Sequence, residues 1–292
     1  MIYAIGIGSE STLAHFASTA EAGGVPVRVV DLRKAVESDD WRLTVGGDGA
    51  ARLDGQDLDP GGAYYCRITD LGAHEHDRAT AQRWRWLTSA LVAWLDHIPG
   101  VVVNRPSARS DNGSKPLHEH SLAGAGFQVP ESISSSSPER LRDFAAAGPT
   151  IVKAVSGVRA SSRAVDPAEL AGFESGQGPV HLQRLIRGVD VRAHVVGDRV
   201  HAERIVSTAV DYRNDDDAEF SVYELPPELA NLVTGHTAEL GMSFAGWDFK
   251  VGADGTHWCL EVNPMPAYDW YDRRTGGAIT ASLLGLLQGA EP

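Results

Sequence analysis

Asp254-Gly255 stands between two apolar-rich runs, Phe244 to Val251 and Thr256 to Val262. Asp-Gly at the centre of a two-residue connection predicts a β-hairpin, because both positions take positive φ. With that pair as the loop, Ala253 faces Thr256, and counting outward sets Asp248 opposite Glu261. Trp247, Phe249, Leu260 and Val262 then point to the other face, toward a core. Asn263 lies two residues past Glu261 and shares its face, opposite Gly246. Two carboxylates facing each other across a ladder repel, and a cation between them removes that cost. Asp, Glu and Asn offer only oxygen, which suits Mg²⁺ rather than zinc. Lys250 is on the same face, so a solvated, salt-bridged surface without metal is the alternative. A one-residue slip would also turn every side chain over.

The rest of the chain reads as an α/β (α+β) protein. Ile2 to Gly8, Leu13 to Ala22 and Pro26 to Leu32 form a strand, helix, strand pattern that predicts a small parallel sheet. Residues 41–53 read as a hairpin. Residues 78–97 form the longest predicted helix, with Trp84, Leu87, Leu91, Trp94 and Leu95 at core spacing. The polar stretch 104–116 reads as an exposed connection. Ser137-Pro138 predicts a helix start, with Ser as N-cap. Gly197-Asp198 predicts a second tight hairpin, which sets Arg192 opposite Glu203.

Composition narrows the partners. The 292 residues carry 39 Asp and Glu against 26 Lys and Arg, a formal charge of −13. That excess argues against nucleic acid or anionic membrane as a partner, while leaving room for a local basic pocket. Cys66 and Cys259 are too few for a disulfide scaffold or a cysteine-built zinc site. No stretch approaches the roughly 20 apolar residues of a membrane span, and the N-terminus lacks a signal-peptide pattern, so a cytoplasmic protein is expected.

Glu261-Val262-Asn263-Pro264-Met265-Pro266, preceded by Trp247-Asp248-Phe249, resembles the closing motif of ATP-grasp ligases, nearest to the RimK-type and peptide-macrocyclising (graspetide-type) branch. The resemblance runs from about Val101 to the end. It takes in Lys115 in Ser-Lys-Pro, Gly126 to Pro130, Ile151-Val152-Lys153, Asp190-Val191-Arg192 and Asp211-Tyr212-Arg213. It implies a pre-ATP-grasp βαβ domain over 1–104, a small central lobe over 105–186 and a C-terminal lobe with the Mg²⁺ site over 187–292.

The same resemblance assigns roles. Asp248, Glu261 and Asn263 match the ligands of the Mg²⁺ ions on ATP, two in number, with Mn²⁺ an alternative. Lys153 matches the lysine on the α- and β-phosphates, and Lys115 a second phosphate contact that could equally be a loop lysine. Gln183, Arg184, Leu185 and Ile186 match the hinge whose backbone holds adenine. The family usually carries Gln-Glu there, so Arg184 breaks the pattern and leaves only backbone recognition at its position. Asp190 matches an acidic residue near the ribose. Arg192 matches an arginine near the γ-phosphate, with a cross-strand ion pair to Glu203 as the plain alternative. Arg213 matches a clamp on the transferred phosphate. Loop 156–163 has Arg159 and Arg163 where many members place glycines.

The resemblance implies an ADP-forming ligase that joins a carboxylate to an amine, or to a hydroxyl, through an acyl phosphate. The acid would be a ribosomal peptide, an amino acid or a small natural-product acid. A phosphotransferase on the same fold, and a nucleotide- or peptide-binding module without turnover, are the alternatives. A homodimer is the default expectation for any oligomer. Arg67 and Arg105, at strand ends, and the segment Met265 to Trp270 are candidates for the substrate side.

Overall fold

The computed structural model describes residues 1–289, other than 39, 70, 156–161 and 210–211. The N-terminal unit runs β1 (Ile2–Gly6), α1 (Ser11–Ala22), β2 (Val27–Asp31), α2 (Leu32–Glu37), β3 (Arg42–Leu43), β4 (Ala51–Leu53), β5 (Gln56–Leu58), β6 (Ala63–Cys66), α3 (Arg78–His97) and β7 (Val101–Val103). Its parallel sheet has the order β2-β1-β6-β7. The predicted 41–53 hairpin is the β3/β4 pair, extended by β5. The five apolar positions expected on α3 are all buried against the sheet, each contributing on the order of 1.5–3 kcal/mol. Trp86 is exposed.

The second unit runs α4 (Lys115–Gly124), β8 (Ser132–Ser135), α5 (Pro138–Ala146), β9 (Thr150–Lys153), β10 (Arg163–Ala164), α6 (Pro167–Ala171) and β11 (Val180–Arg184). Its strands pair antiparallel in the order β10-β9-β11-β8. Ser137 caps α5 as expected, its side chain accepting from the Arg140 N–H. One face of the sheet packs Leu182 against Leu141, Phe144 and Leu170. The other face carries Lys153, His181 and Ser134 side by side across three strands.

The third unit runs β12 (Val189–Val196), β13 (Arg199–Val206), β14 (Glu219–Tyr223), α7 (Pro227–Glu239), β15 (Phe244–Val251), β16 (His257–Asn263), α8 (Asp269–Arg274) and α9 (Ala278–Leu287). Its antiparallel sheet has the order β14-β13-β12-β15-β16. One face buries Val191, Ala193, Trp247, Phe249, Cys259 and Val262 under α7. Helix α9 instead joins Ile2, Leu13 and Phe16 of the first unit in one core with Val196, Phe244 and Tyr268.

The β15/β16 hairpin departs from the sequence reading in two ways that cancel. Asp254 does not take positive φ; only Gly255 does, at +81°. Its side chain instead accepts from the Thr256 N–H and hydroxyl, an Asx turn. The loop therefore spans 252–256, and Val251, not Ala253, is the first paired residue, opposite His257. A bulge between Asp248 and Phe249 then restores the register, so Asp248 does face Glu261 and Gly246 faces Asn263. Leu260 is the extra residue, and Cys259 takes the core position expected of it.

The stretch 104–116 is not a plain exposed connection. The Asn104 amide donates to the Phe244 and Pro264 carbonyls and accepts from the Ser243 and Phe244 N–H groups. Arg105 donates to the carbonyls of Leu95, Ile98 and Gly100, so its guanidinium already serves the fold's own backbone.

Candidate active site

The polar face of the five-stranded sheet carries three rungs. Asp190 lies beside Lys250, Arg192 beside Asp248 and then Glu261, and His194 beside Gly246 and then Asn263. Strand alternation on β12 and β15 is what brings these residues to one side. Lys250 is taken by Asp190 at 2.6 Å, both largely withdrawn from solvent. So Lys250 pairs with the acid on β12 rather than with the facing carboxylates.

Arg192 faces Glu203 across β12/β13, as the Gly197 turn predicted. Its ion pair is nevertheless with Asp248: Nη1 donates to Oδ2 at 2.6 Å. Glu203 is held by Arg274 from α8 instead. The Arg192 Nε donates to His194 Nε2 at 3.3 Å. Burial first, then the neighbouring Arg192 charge, pushes the His194 imidazole well below its ordinary range, against the Ala267 carbonyl that favours the protonated ring. A neutral acceptor and a carboxylate thus hold one guanidinium in place.

Glu261 receives Lys115 Nζ at 2.9 Å, and both Asp248 and Glu261 keep 31% of their side-chain surface open. Burial alone would raise the Glu261 carboxyl, but Lys115, His118 and Lys153 together hold it below the usual range. The Asn263 Oδ1 accepts from the Met265 N–H at 2.9 Å, and a carbonyl oxygen has a second lone pair to offer. Lys153 is half-buried on β9. Its ammonium is pushed down by burial and by Lys115, while Glu119, Glu261 and Asp248 pull the other way.

The hinge departs from the expectation in detail. Gln183 is buried and donates to Glu119 at 2.6 Å. Arg184 turns away, stacked 3.7 Å over the Phe144 ring and paired with Glu131. The N–H groups of Arg184 and Leu185 donate to the carbonyls of Glu131 and Pro149, so any nucleotide contact here has to come from other atoms, including those of Ile186.

Arg213 is exposed in the turn Tyr212–Asn214. Its neighbour Tyr212 meets Tyr271 of α8, hydroxyl to hydroxyl, at 2.6 Å. Asp215 ties the following acidic run back to Ser207 and Thr208. Arg163 is exposed and paired with Glu169; Arg159 and Asp211 lie outside the described residues. Arg67 is buried, gripping Glu10 through two bonds and the Pro266 carbonyl through a third. Trp270 is 69% exposed beside the site.

Sequence reasoning missed His118 and Glu119, gave Tyr212 no role of its own and left Tyr271 open as a packing residue. Lys115, His118 and Glu119 stand at helical spacing, which would have put all three on one face.

No family model matches the sequence, and no curated protein matches it. Solved structures do. The ATP-grasp ligase PsnB, in a complex with a phosphomimetic variant of a minimal precursor, Mg and ADP, matches with a TM-score of 0.83 and 26% identity over 98% of each chain. The chain has the ATP-grasp fold. Macrocyclase MdnC from Microcystis aeruginosa, bound with precursor peptide MdnA, matches with a TM-score of 0.81 and 17% identity, over 98% of this chain and 99% of that one. A RiPP-associated ATP-grasp ligase from Chryseobacterium gregarium, with ADP and a leader and core peptide, matches with a TM-score of 0.80 and 18% identity, over 100% and 97%. The likeness to graspetide-type ligases read from the motifs holds, and the expected use of ATP and Mg²⁺ agrees with these neighbours. Among the described residues no helix is long and apolar enough to cross a membrane.

Proposed function

We propose that this chain is an ATP-dependent ligase that joins a carboxylate to an amine, or to a hydroxyl, on a peptide. The observation that carries it is the single row Arg192, Asp248, Glu261 across three adjacent strands, flanked by Lys115. The full-length likeness to PsnB supports a peptide as substrate.

Asp248, Glu261 and Asn263 are the residues that would hold Mg²⁺. Their ligating atoms are all oxygen, and both carboxylates keep part of their surface open. Among the described residues no three His, Cys, Asp or Glu side chains gather into a metal-holding group. A two-carboxylate set suits Mg²⁺, which keeps waters and substrate phosphates in its shell. When bound, the ion draws charge from the phosphoryl oxygens.

In the reaction proposed, a substrate carboxylate oxygen bonds the γ-phosphorus as the bond to ADP breaks. The amine nitrogen then bonds the acyl carbon, phosphate leaves, and the ammonium proton is lost. Negative charge gathers on the phosphoryl group in the first step. Lys153, Arg192 and Arg213 answer it with positive charge, as does Lys115 if it turns from Glu261 toward phosphate. Arg192 is pre-oriented by Asp248 and His194, which spares reorganisation at the moment of transfer.

The test is Mg²⁺-dependent release of ADP and phosphate with panels of acidic and Lys- or Ser-containing peptides. A ligase releases both only when acid and nucleophile are present together, and Glu261→Gln abolishes it. ADP release without an acceptor nucleophile, with phosphate left on the acid, would instead mark a phosphotransferase.

A further inference from the structure

Helix α4 presents Lys115, His118 and Glu119 on one face, three and four residues apart. The first two reach the C-terminal lobe. Lys115 meets Glu261, and His118 Nε2 accepts the Val262 N–H at 3.0 Å while Nδ1 meets the Ser110 carbonyl at 2.5 Å. Glu119 reaches the other way. It is 6% exposed, and its two oxygens take the Ser132 hydroxyl of β8, His181 Nε2 of β11 at 3.1 Å and the Gln183 amide of β11 at 2.6 Å. Burial would raise its carboxyl, yet His181, Ser132 and Lys153 hold it below the usual range.

His181 is the direct cross-strand neighbour of Lys153. One carboxylate therefore grips the strand beside the phosphate lysine, while the same helix face grips the strand of Glu261. A carboxylate this buried is stable only with its donors in place, so the lobes are registered through it.

We propose that Glu119 is a positioning residue for nucleotide binding, which through α4 fixes the small-lobe sheet relative to the Asp248/Glu261 strands. This rests on the nucleotide reading above. A nucleotide carrying Mg²⁺ would be tied to the Asp248/Glu261 strands through the metal, whereas a metal-free one lacks that tie. Loss of Glu119 then lowers the affinity gained from Mg²⁺ more than the metal-free affinity.

Calorimetry with ADP, with and without Mg²⁺, tests this on the full chain. Glu119→Gln, near-isosteric, is expected to cut the Mg²⁺-dependent gain about tenfold or more, a factor read directly from the ratio of Kd values. Ser132→Ala, which removes one donor only, shifts the ratio the same way by less and serves if Glu119→Gln fails to fold. A lowered Tm with the full Mg²⁺ gain retained in both variants overturns the proposal. Wild-type protein that takes up no ADP with Mg²⁺ overturns the nucleotide reading itself.

Discussion

The guanidinium of Arg192 occupies the space above Gly246: a Cβ there would come within 2.1 Å of Nη2 and 2.6 Å of the Pro266 Cβ. The absent side chain opposite Asn263 is thus what lets Arg192 lie flat on the sheet beside Asp248. Gly246→Ala is expected to dislodge Arg192, at a stability cost of about 1–3 kcal/mol. Affinity for a non-hydrolysable ATP analogue should fall about tenfold relative to ADP, since Arg192 is proposed to meet the transferred phosphoryl group. Paired titrations of the two nucleotides check it.

Asn104 satisfies two carbonyls and two N–H groups where β7 meets the start of β15 and Pro264. Asn104→Ala leaves these groups short of partners, and a loss on the order of 2–4 kcal/mol is expected. Thermal and urea unfolding measure it, with little change in far-UV circular dichroism of the protein that does fold.

Acid should weaken the fold through His194. Its folded pKa lies well below the unfolded value near 6.5. Below that value the unfolded chain takes up a proton that the native ring refuses, so the unfolded state binds more protons. The contribution is whole above about pH 6.5 and declines as pH falls toward the folded pKa. His194→Gln should flatten the Tm against pH curve between about pH 5 and about pH 7. An unchanged slope contradicts the assignment.

Tyr212 and Tyr271 share one hydrogen bond between two hydroxyls, which fastens the turn bearing Arg213 to α8. Tyr271→Phe cuts that link without changing the ring. Ligase turnover should fall about tenfold, while Mg²⁺-dependent ADP affinity stays within about twofold.

Much of the fold, and the strand register of the candidate site, was legible in the sequence for identifiable reasons. Helix α3 announced itself by its spacing, and β12/β13 by Gly197, whose φ of +59° fits the tight turn expected. The Asp248–Glu261 pairing was reached although the loop is longer than expected, because a bulge offsets it. Neither the Asx turn nor the bulge has a local signal that a pattern of apolar residues reveals. Arg192's choice of Asp248 over Glu203 was hidden as well. Both lie beside it in the sheet, and the decision falls to Arg274, which arrives from α8 to claim Glu203. Long-range polar pairing of this kind arises from tertiary packing and leaves no periodic trace.

The outer rim of β16 is already occupied. The Cys259 N–H donates to the Gln128 carbonyl and the Val262 N–H to the ring of His118. A strand so sealed resists edge-to-edge association with another chain. Growth of the sheet by a guest strand would therefore have to begin at the opposite border, β14, where Val222 stands 78% exposed.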